Sequence, residues 1–240
     1  VAVFSGYAST GCADNRLINH HTEISSMKLY TYFRSSAAYR VRIALNLKQL
    51  PYDAVAVHLL RDGGQQKQAD YKQKSPLGIV PALETEHAVL TQSLAIIEWL
   101  DETYPQVALL PDDADGRARV RAIAQTIACD IHPLNNLRVL AYLTKNIGIT
   151  EEQKNDWYRH WVNEGLAAVE QLLANDPRTG IFCHGDTPGL ADCCLIPQVF
   201  NARRFQCPLD DLPVISRIVA ACESLPAFQL ASPAQQFDAE

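Results

Sequence analysis

Residues 28–33 form a short apolar run, read as a strand, after which the apolar positions change period. Over 37–49 they fall at Val41, Ile43, Ala44, Leu45 and Leu47, the spacing of an amphipathic helix. Residues 53–59 (DAVAVHL) alternate apolar with polar, as a strand with one covered face does. RDGG at 61–64 reads as a turn, because Gly63 and Gly64 tolerate positive φ. A short helix is predicted over 66–73. Two short strands, 79–83 and 87–90, flank a polar turn at Thr85 and Glu86. TQSLAIIEWLDETY (91–104) follows as a helix that Pro105 ends.

The order β-α-β-α-β-β-α describes a compact thioredoxin-like α/β domain. The segment YPQVALLPDDADG (104–116), with two prolines and a charged turn, reads as a domain boundary. Beyond it the strand signal almost vanishes. Long helical periodicity covers 117–146 and 151–174, and two shorter helices are predicted over 190–206 and 213–224. Pro133 lies inside the first long helix and predicts a kink there. The fold class is therefore an N-terminal thioredoxin-like α/β domain, 27–108, followed by an all-helical domain, 114–237. Residues 1–26 have no sustained period and lack the basic start and continuous apolar stretch of a signal peptide. They are read as an extension outside the fold, with Met27, the only methionine, as the biological start. The adjacent His20 and His21 within the extension are given no metal role.

Composition narrows the function classes. The chain has 240 residues, 48% of them hydrophobic, enough for one sizeable core or two modest ones. Its net charge of -6 argues against a nucleic-acid or anionic-membrane surface. No apolar run approaches the ~20 residues that span a bilayer. Seven cysteines show neither CxxC nor zinc-ligand spacing, so free, mostly buried thiols in a reducing cytoplasm are expected, with no metal.

The junction RSSAAYRVRIAL (34–45) carries the candidate chemistry. Ser35 and Ser36 stand between a strand and a helix, beside the free N–H groups and positive dipole end of that helix. Such a place suits an anion, whether phosphate, carboxylate or thiolate. Taken alone, the pair could equally be helix caps. IVPAL at 79–83 and TQSLAIIEWL at 91–100 bear the same relation to one fold.

Six motifs in order, RSSAAYRVRIAL, HLLRDGG, GIVPAL, QSLAIIEWLDETYP, CDIHPLNNLRVL and GDTPGLADCCLIPQVFNARRF, resemble the zeta class of cytosolic glutathione transferases. That class includes maleylacetoacetate and maleylpyruvate isomerases, and the resemblance covers residues 27 to 237. It implies glutathione as cofactor, a small dicarboxylate as substrate, a homodimer, and no nucleic-acid or membrane partner. It also implies a cis Val80–Pro81 bond that presents Val80 to the cysteinyl part of glutathione. Gln92 and Ser93 would open a helix that holds the γ-glutamyl carboxylate, with Ser93 as its cap. His58 and residues 65–67 would lie near the glycyl end, and His132 and Asn136 would face the cleft from the second domain. The thiol belongs to glutathione, and Ser35, ahead of Ser36, would favour its thiolate. The family commonly has cysteine after the two serines; here Ala37 takes that place.

A maleyl-type acid carries two carboxylates about a cis double bond, and arginine forks match carboxylates in bidentate geometry. Arg34, Arg138 and Arg204 are the candidates. Arg40 and Arg42 are read as structural, of the solvated ion-pairing kind. Asp192 is assigned to folding, as part of a helix-capping box in which Gly189 replaces the family's serine or threonine. The implied reaction is thiolate addition to the double bond, rotation, and elimination. Two other classes stay open: conjugation of glutathione to electrophiles, and a non-catalytic glutathione-binding protein.

Overall fold

The computed structural model describes residues 27–240; the extension and its two histidines lie outside the described residues. The chain runs β1 (Met27–Thr31), α1 (Ser36–Leu47), β2 (Tyr52–Ala56), α2 (Ala69–Lys74), β3 (Ala82–Glu84), β4 (Val89–Thr91) and α3 (Ser93–Thr103). The sheet order is β2-β1-β3-β4. β1 pairs parallel with β2 and antiparallel with β3, and β3 pairs antiparallel with β4. This is the expected α/β unit, and the Val80–Pro81 bond is cis. Two short 3-10 turns at Arg61–Gly63 and Gln65–Lys67 push the predicted 66–73 helix to a later start.

α1 departs from the amphipathic reading. Every residue from Ala38 to Leu45 is buried, Arg40 and Arg42 included. A helix buried on all sides must satisfy its polar groups internally. Arg42 donates to the carbonyls of Tyr32, Phe33 and Ala231 and to Thr31 Oγ1, at 3.0–3.4 Å. Burial pushes its guanidinium down to about 10. The expectation of solvated ion pairs fails for both arginines, because the helical half covers the outer side of α1.

That half comprises α4 (Ala114–Gln125), α5 (Leu137–Tyr142), α6 (Glu151–Ala174), α7 (Leu190–Arg204), α8 (Pro213–Glu223) and α9 (Pro226–Ala231). The long helix read over 117–146 is instead broken. After α4 the backbone widens into a π-type turn, Thr126–Ile131, tightens into a 3-10 turn, His132–Asn135, and resumes as α5. Pro133 has no N–H for the helical ladder and its ring crowds the preceding turn. The break turns His132–Asn136 toward the α/β half. α6 braces it, as Trp157 Nε1 donates to the Leu134 carbonyl at 2.8 Å. α9, six residues between prolines, is too short for its period to show in sequence.

Asp192 is buried at the start of α7 and accepts from the backbone N–H groups of Cys183 and Gly189, both at 2.9 Å. Its folding role stands. A Cβ on Gly189 would lie 2.7 Å from the Leu109 carbonyl, which already accepts from Leu190 N–H at 2.9 Å. Glycine therefore fits where the linker crosses the helix start. Lys48 pins the same linker: its side chain is 1% exposed, and its ammonium donates to the Tyr104 and Val107 carbonyls and pairs with Asp101 at 3.0 Å.

The brace behind the broken helix is close. A Cβ on Gly165 of α6 would meet Ile131 Cγ1 at 2.3 Å. Gly165→Val is expected to cost ~1–3 kcal/mol by overpacking. In urea titrations, Ile131→Ala should cost less in the Gly165→Val background than in the wild type, because it empties the space the valine needs.

Candidate active site

A cavity of about 260 Å³ opens between the two halves. The α/β half contributes Tyr32, Arg34, Ser35 and Ser36 to its lining. The helical half contributes His132, Asn136 and Arg204, with an apolar wall that includes Leu140, Tyr158 and Phe205. Six of the residues singled out from sequence thus meet around one space. They arrive from the β1–α1 turn, the Pro133 break and the end of α7.

Ser35 is the cap of α1: its Oγ accepts from Ala38 N–H at 3.3 Å. Ser36 Oγ accepts from Asn201 Nδ2 at 2.6 Å. The Asn201 orientation follows from Arg204, which can only donate and reaches Asn201 Oδ1 at 3.3 Å. Each hydroxyl uses a lone pair for the fold and keeps its hydrogen to donate into the cavity. Capping and anion binding are therefore compatible at Ser35, and the two readings of the serine pair need not compete.

Arg34 lies 4.9 Å from the Phe33 ring centroid and donates to Tyr32 Oη at 2.9 Å. Arg204 donates to Asn201 and lies over the Phe205 ring, 5.7 Å from its centroid. Among the described residues neither pairs with a carboxylate, whereas the neighbouring Arg203 is paired with Glu223. Two guanidinium groups on one cavity without counter-ions are poised for external anions. Arg138 does not join them. As the second residue of α5 it is exposed, and its backbone N–H caps onto Asn136 Oδ1 at 3.1 Å.

His132 Nδ1 faces the Arg40 guanidinium at 2.9 Å. Burial, then the charges of Arg40 and Arg138, push its imidazole down to about 3, so the ring is neutral at physiological pH. Asn136 Nδ2 stands 3.4 Å from Nε2 of the same ring.

The remaining predicted residues stand outside the lining. Val80 is buried, and its N–H and C=O have no hydrogen bond among the described residues. Pro81 follows at the start of the β3 arm. Ser93 does not cap α3; it is the first helical residue, and Gln92 holds the cap position with φ 71. The positive φ turns the Gln92 backbone away from a serine-type cap. Ser93 Oγ accepts from Arg40 at 3.2 Å. His58 Nδ1 accepts from the N–H groups of Leu60 and Arg61, which places its ring hydrogen on Nε2. That nitrogen faces the Glu240 carboxylate at 3.1 Å, and Arg61 pairs with the same oxygen. Gln65 Oε1 accepts from His58 N–H at 2.8 Å, so Gln65 orients the loop.

Sequence reasoning missed Arg40, Asn201, Asn135 and Gln198. The last two line the cavity with buried amide atoms that have no partner. Asn201 and Arg204 lie three apart on α7, one helical face, which was the available signal. Cys183, Cys193, Cys194 and Cys222 are buried, and burial pushes all four thiols up, Cys194 to about 11. None of these four is a thiolate at neutral pH. Among the described residues no His, Cys, Asp or Glu cluster is placed to hold a metal, and no helix is long and apolar enough to cross a membrane.

A profile of the glutathione S-transferase N-terminal domain matches residues 29–108. A maleylpyruvate isomerase from Ralstonia sp is 53% identical over 88% of this chain and 99% of its own length. The holo structure of a zeta-class maleyl pyruvate isomerase superposes with TM-score 0.86 at 52% identity, covering 89% of this chain and 100% of that one. A maleylacetoacetate isomerase from Anaeromyxobacter dehalogenans, solved with bound GSH in the active site, gives TM-score 0.80 at 43% identity over 90% and 100% of the two chains. At these identities over nearly the whole of each chain, the chain belongs to the zeta class of glutathione transferases, the family of the maleylacetoacetate and maleylpyruvate isomerases.

Proposed function

We propose that the chain is a glutathione-dependent cis–trans isomerase of a maleyl-type dicarboxylate, maleylacetoacetate first and maleylpyruvate second. The observation that carries the reading is the pair of guanidinium groups without a carboxylate partner among the described residues, Arg34 and Arg204, on the cavity that the two serine hydroxyls line. The residues present also fit glutathione. Val80 offers a free backbone N–H and C=O for strand-like pairing, and Asn135 and Gln198 bring unpartnered buried amide atoms. When bound, glutathione supplies a thiolate that adds to the cis double bond, frees rotation about it and leaves again.

The chain's own groups do the rest. Ser35 donates its free hydrogen to the sulfur and, with the N-terminus of α1, favours the thiolate over a thiol whose ordinary pKa is ~8.5. Ser36 stands one residue on, held by Asn201, and supports the same negative charge. Arg34 and Arg204 clamp the carboxylates and neutralise charge that builds on the substrate during addition. His58 and Arg61 form a carboxylate-accepting corner, filled in the free chain by Glu240. The glycyl carboxylate of glutathione would exchange with Glu240 there. The same reading makes the enzyme a cytoplasmic homodimer, and light scattering of the purified protein checks the dimer.

The direct test is isomerisation of both acids followed by ultraviolet absorbance. Activity should vanish without glutathione, while total glutathione stays constant over many turnovers. Stoichiometric loss of glutathione with the acid would replace isomerisation by conjugation.

Ser35→Ala should lower turnover strongly, with a smaller effect from Ala37→Cys. Full activity and an unchanged pH profile in Ser35→Ala would move activation to Ser36 or the helix end. Arg204→Lys keeps charge but loses the fork. A charge-assisted bond is worth ~1.5–3 kcal/mol, so catalytic efficiency toward the acid should fall roughly tenfold to a hundredfold with near-normal glutathione binding. Arg34→Lys should act in the same direction and less severely. Steady-state kinetics with each substrate varied in turn separates the two.

Glu240→Gln should lower the KM for glutathione roughly two- to fivefold, the range of an exposed ion pair, and leave kcat unchanged. An unchanged KM would mean that the glycyl end lies elsewhere.

A further inference from the structure

Arg40 is 2% exposed, and among the described residues no carboxylate pairs with it. Its guanidinium bridges the two halves, with one nitrogen on Ser93 Oγ at 3.2 Å and another on His132 Nδ1 at 2.9 Å. The third nitrogen, Nε, is buried without a partner. A buried cation without a counter-charge is costly unless its neighbours accept its hydrogens or an anion completes it. Ser93 and His132 do the first.

The contact with His132 has a chemical consequence. A guanidinium can only donate, so Nδ1 must accept, and the hydrogen of the neutral ring lies on Nε2. Asn136 is fixed independently. Its Oδ1 accepts the cap bond from Arg138 N–H, so its NH₂ faces Nε2 of His132 at 3.4 Å. Two donors then stand side by side and cannot bond each other. In the opposite tautomer the amide would donate to Nε2, and the pair would close on itself with one fewer hydrogen offered to the cavity.

We infer that Arg40 is a positioning residue: it holds His132 as an Nε2–H donor and so makes His132 and Asn136 a two-donor cradle for a carboxylate. Both residues line the cavity. The inference rests on the proposed function only for the source of the carboxylate, glutathione or the dicarboxylate substrate. Arg40 touches neither reacting partner in this scheme; it acts through His132 and Ser93.

Long-range ¹H–¹⁵N spectra of the full-length protein, with His132 assigned through His132→Gln, test this without any turnover. The wild-type ring should show a pyridine-like Nδ1 and a pyrrole-like Nε2. Added glutathione, or malonate as an unreactive dicarboxylate, should shift Nε2 and the Asn136 amide, and the effective additive identifies the source. In Arg40→Met the two nitrogens should move toward averaged shifts. The KM for the ligand that supplies the carboxylate should rise roughly tenfold, the loss of one charge-assisted bond, with a smaller change in kcat. A ring unchanged in Arg40→Met overturns the inference. Should that variant fail to fold, the wild-type spectrum decides: a hydrogen on Nδ1, or an Nε2 that ignores both additives, overturns it equally. Failure of isomerisation with these spectra as expected would sink the substrate assignment and leave the cradle standing.

Discussion

Helix α1 is buried on all sides yet carries two guanidinium groups in its middle turns. Interior burial of a charge is costly unless most of its donors find acceptors. Arg42 finds carbonyls at the end of β1 and in α9; Arg40 finds Ser93 and His132. These demands fix what must surround α1: the strand end on one side, α3 on another, and the helical half across the remainder. The serines at the start of α1 are held in place by the same packing. The site thus follows from one helix whose interior charges recruit both halves of the molecule.

The cleft divides its labour by element. The β1–α1 turn brings hydroxyl hydrogens and the open guanidinium of Arg34, the end of α7 brings that of Arg204, and the Pro133 break brings neutral donors. The apolar wall lowers the local dielectric, which strengthens each of these interactions with a bound anion. Asn201 links two of the sets, since one amide holds Ser36 and receives Arg204. Such linkage keeps hydroxyl and guanidinium at a fixed separation, the condition under which electrostatic preorganisation works.

Much of this was legible in the chain. The α/β order and the span of α6 follow from period, capping chemistry and composition, all of which are local; the folding role of Asp192 was legible through motif resemblance. The serine pair and Arg204 were legible through motif resemblance. What escaped was set by tertiary context. Arg40 and Arg42 read as solvated because local sequence does not reveal that a second layer covers α1. The 117–146 helix read as merely kinked because the π-type widening depends on packing against Gly165 and Trp157. Ser93 read as a cap because serine usually is one; the positive φ of Gln92 moves the boundary by a residue.

The ties between the chain's two ends bear on how it is made. Arg42 is completed by the carbonyl of Ala231, and the Phe33 N–H donates to Asp238 at 3.0 Å. On a ribosome the α/β half emerges before the helical half, with its central helix, a buried guanidinium and a backbone donor all awaiting partners far along the chain. Contacts of such sequence separation slow folding and prolong exposure of unfinished surface. The α/β half is therefore completed only by contacts from α9 and beyond, and nascent chains stalled short of α9 would be natural clients for chaperones.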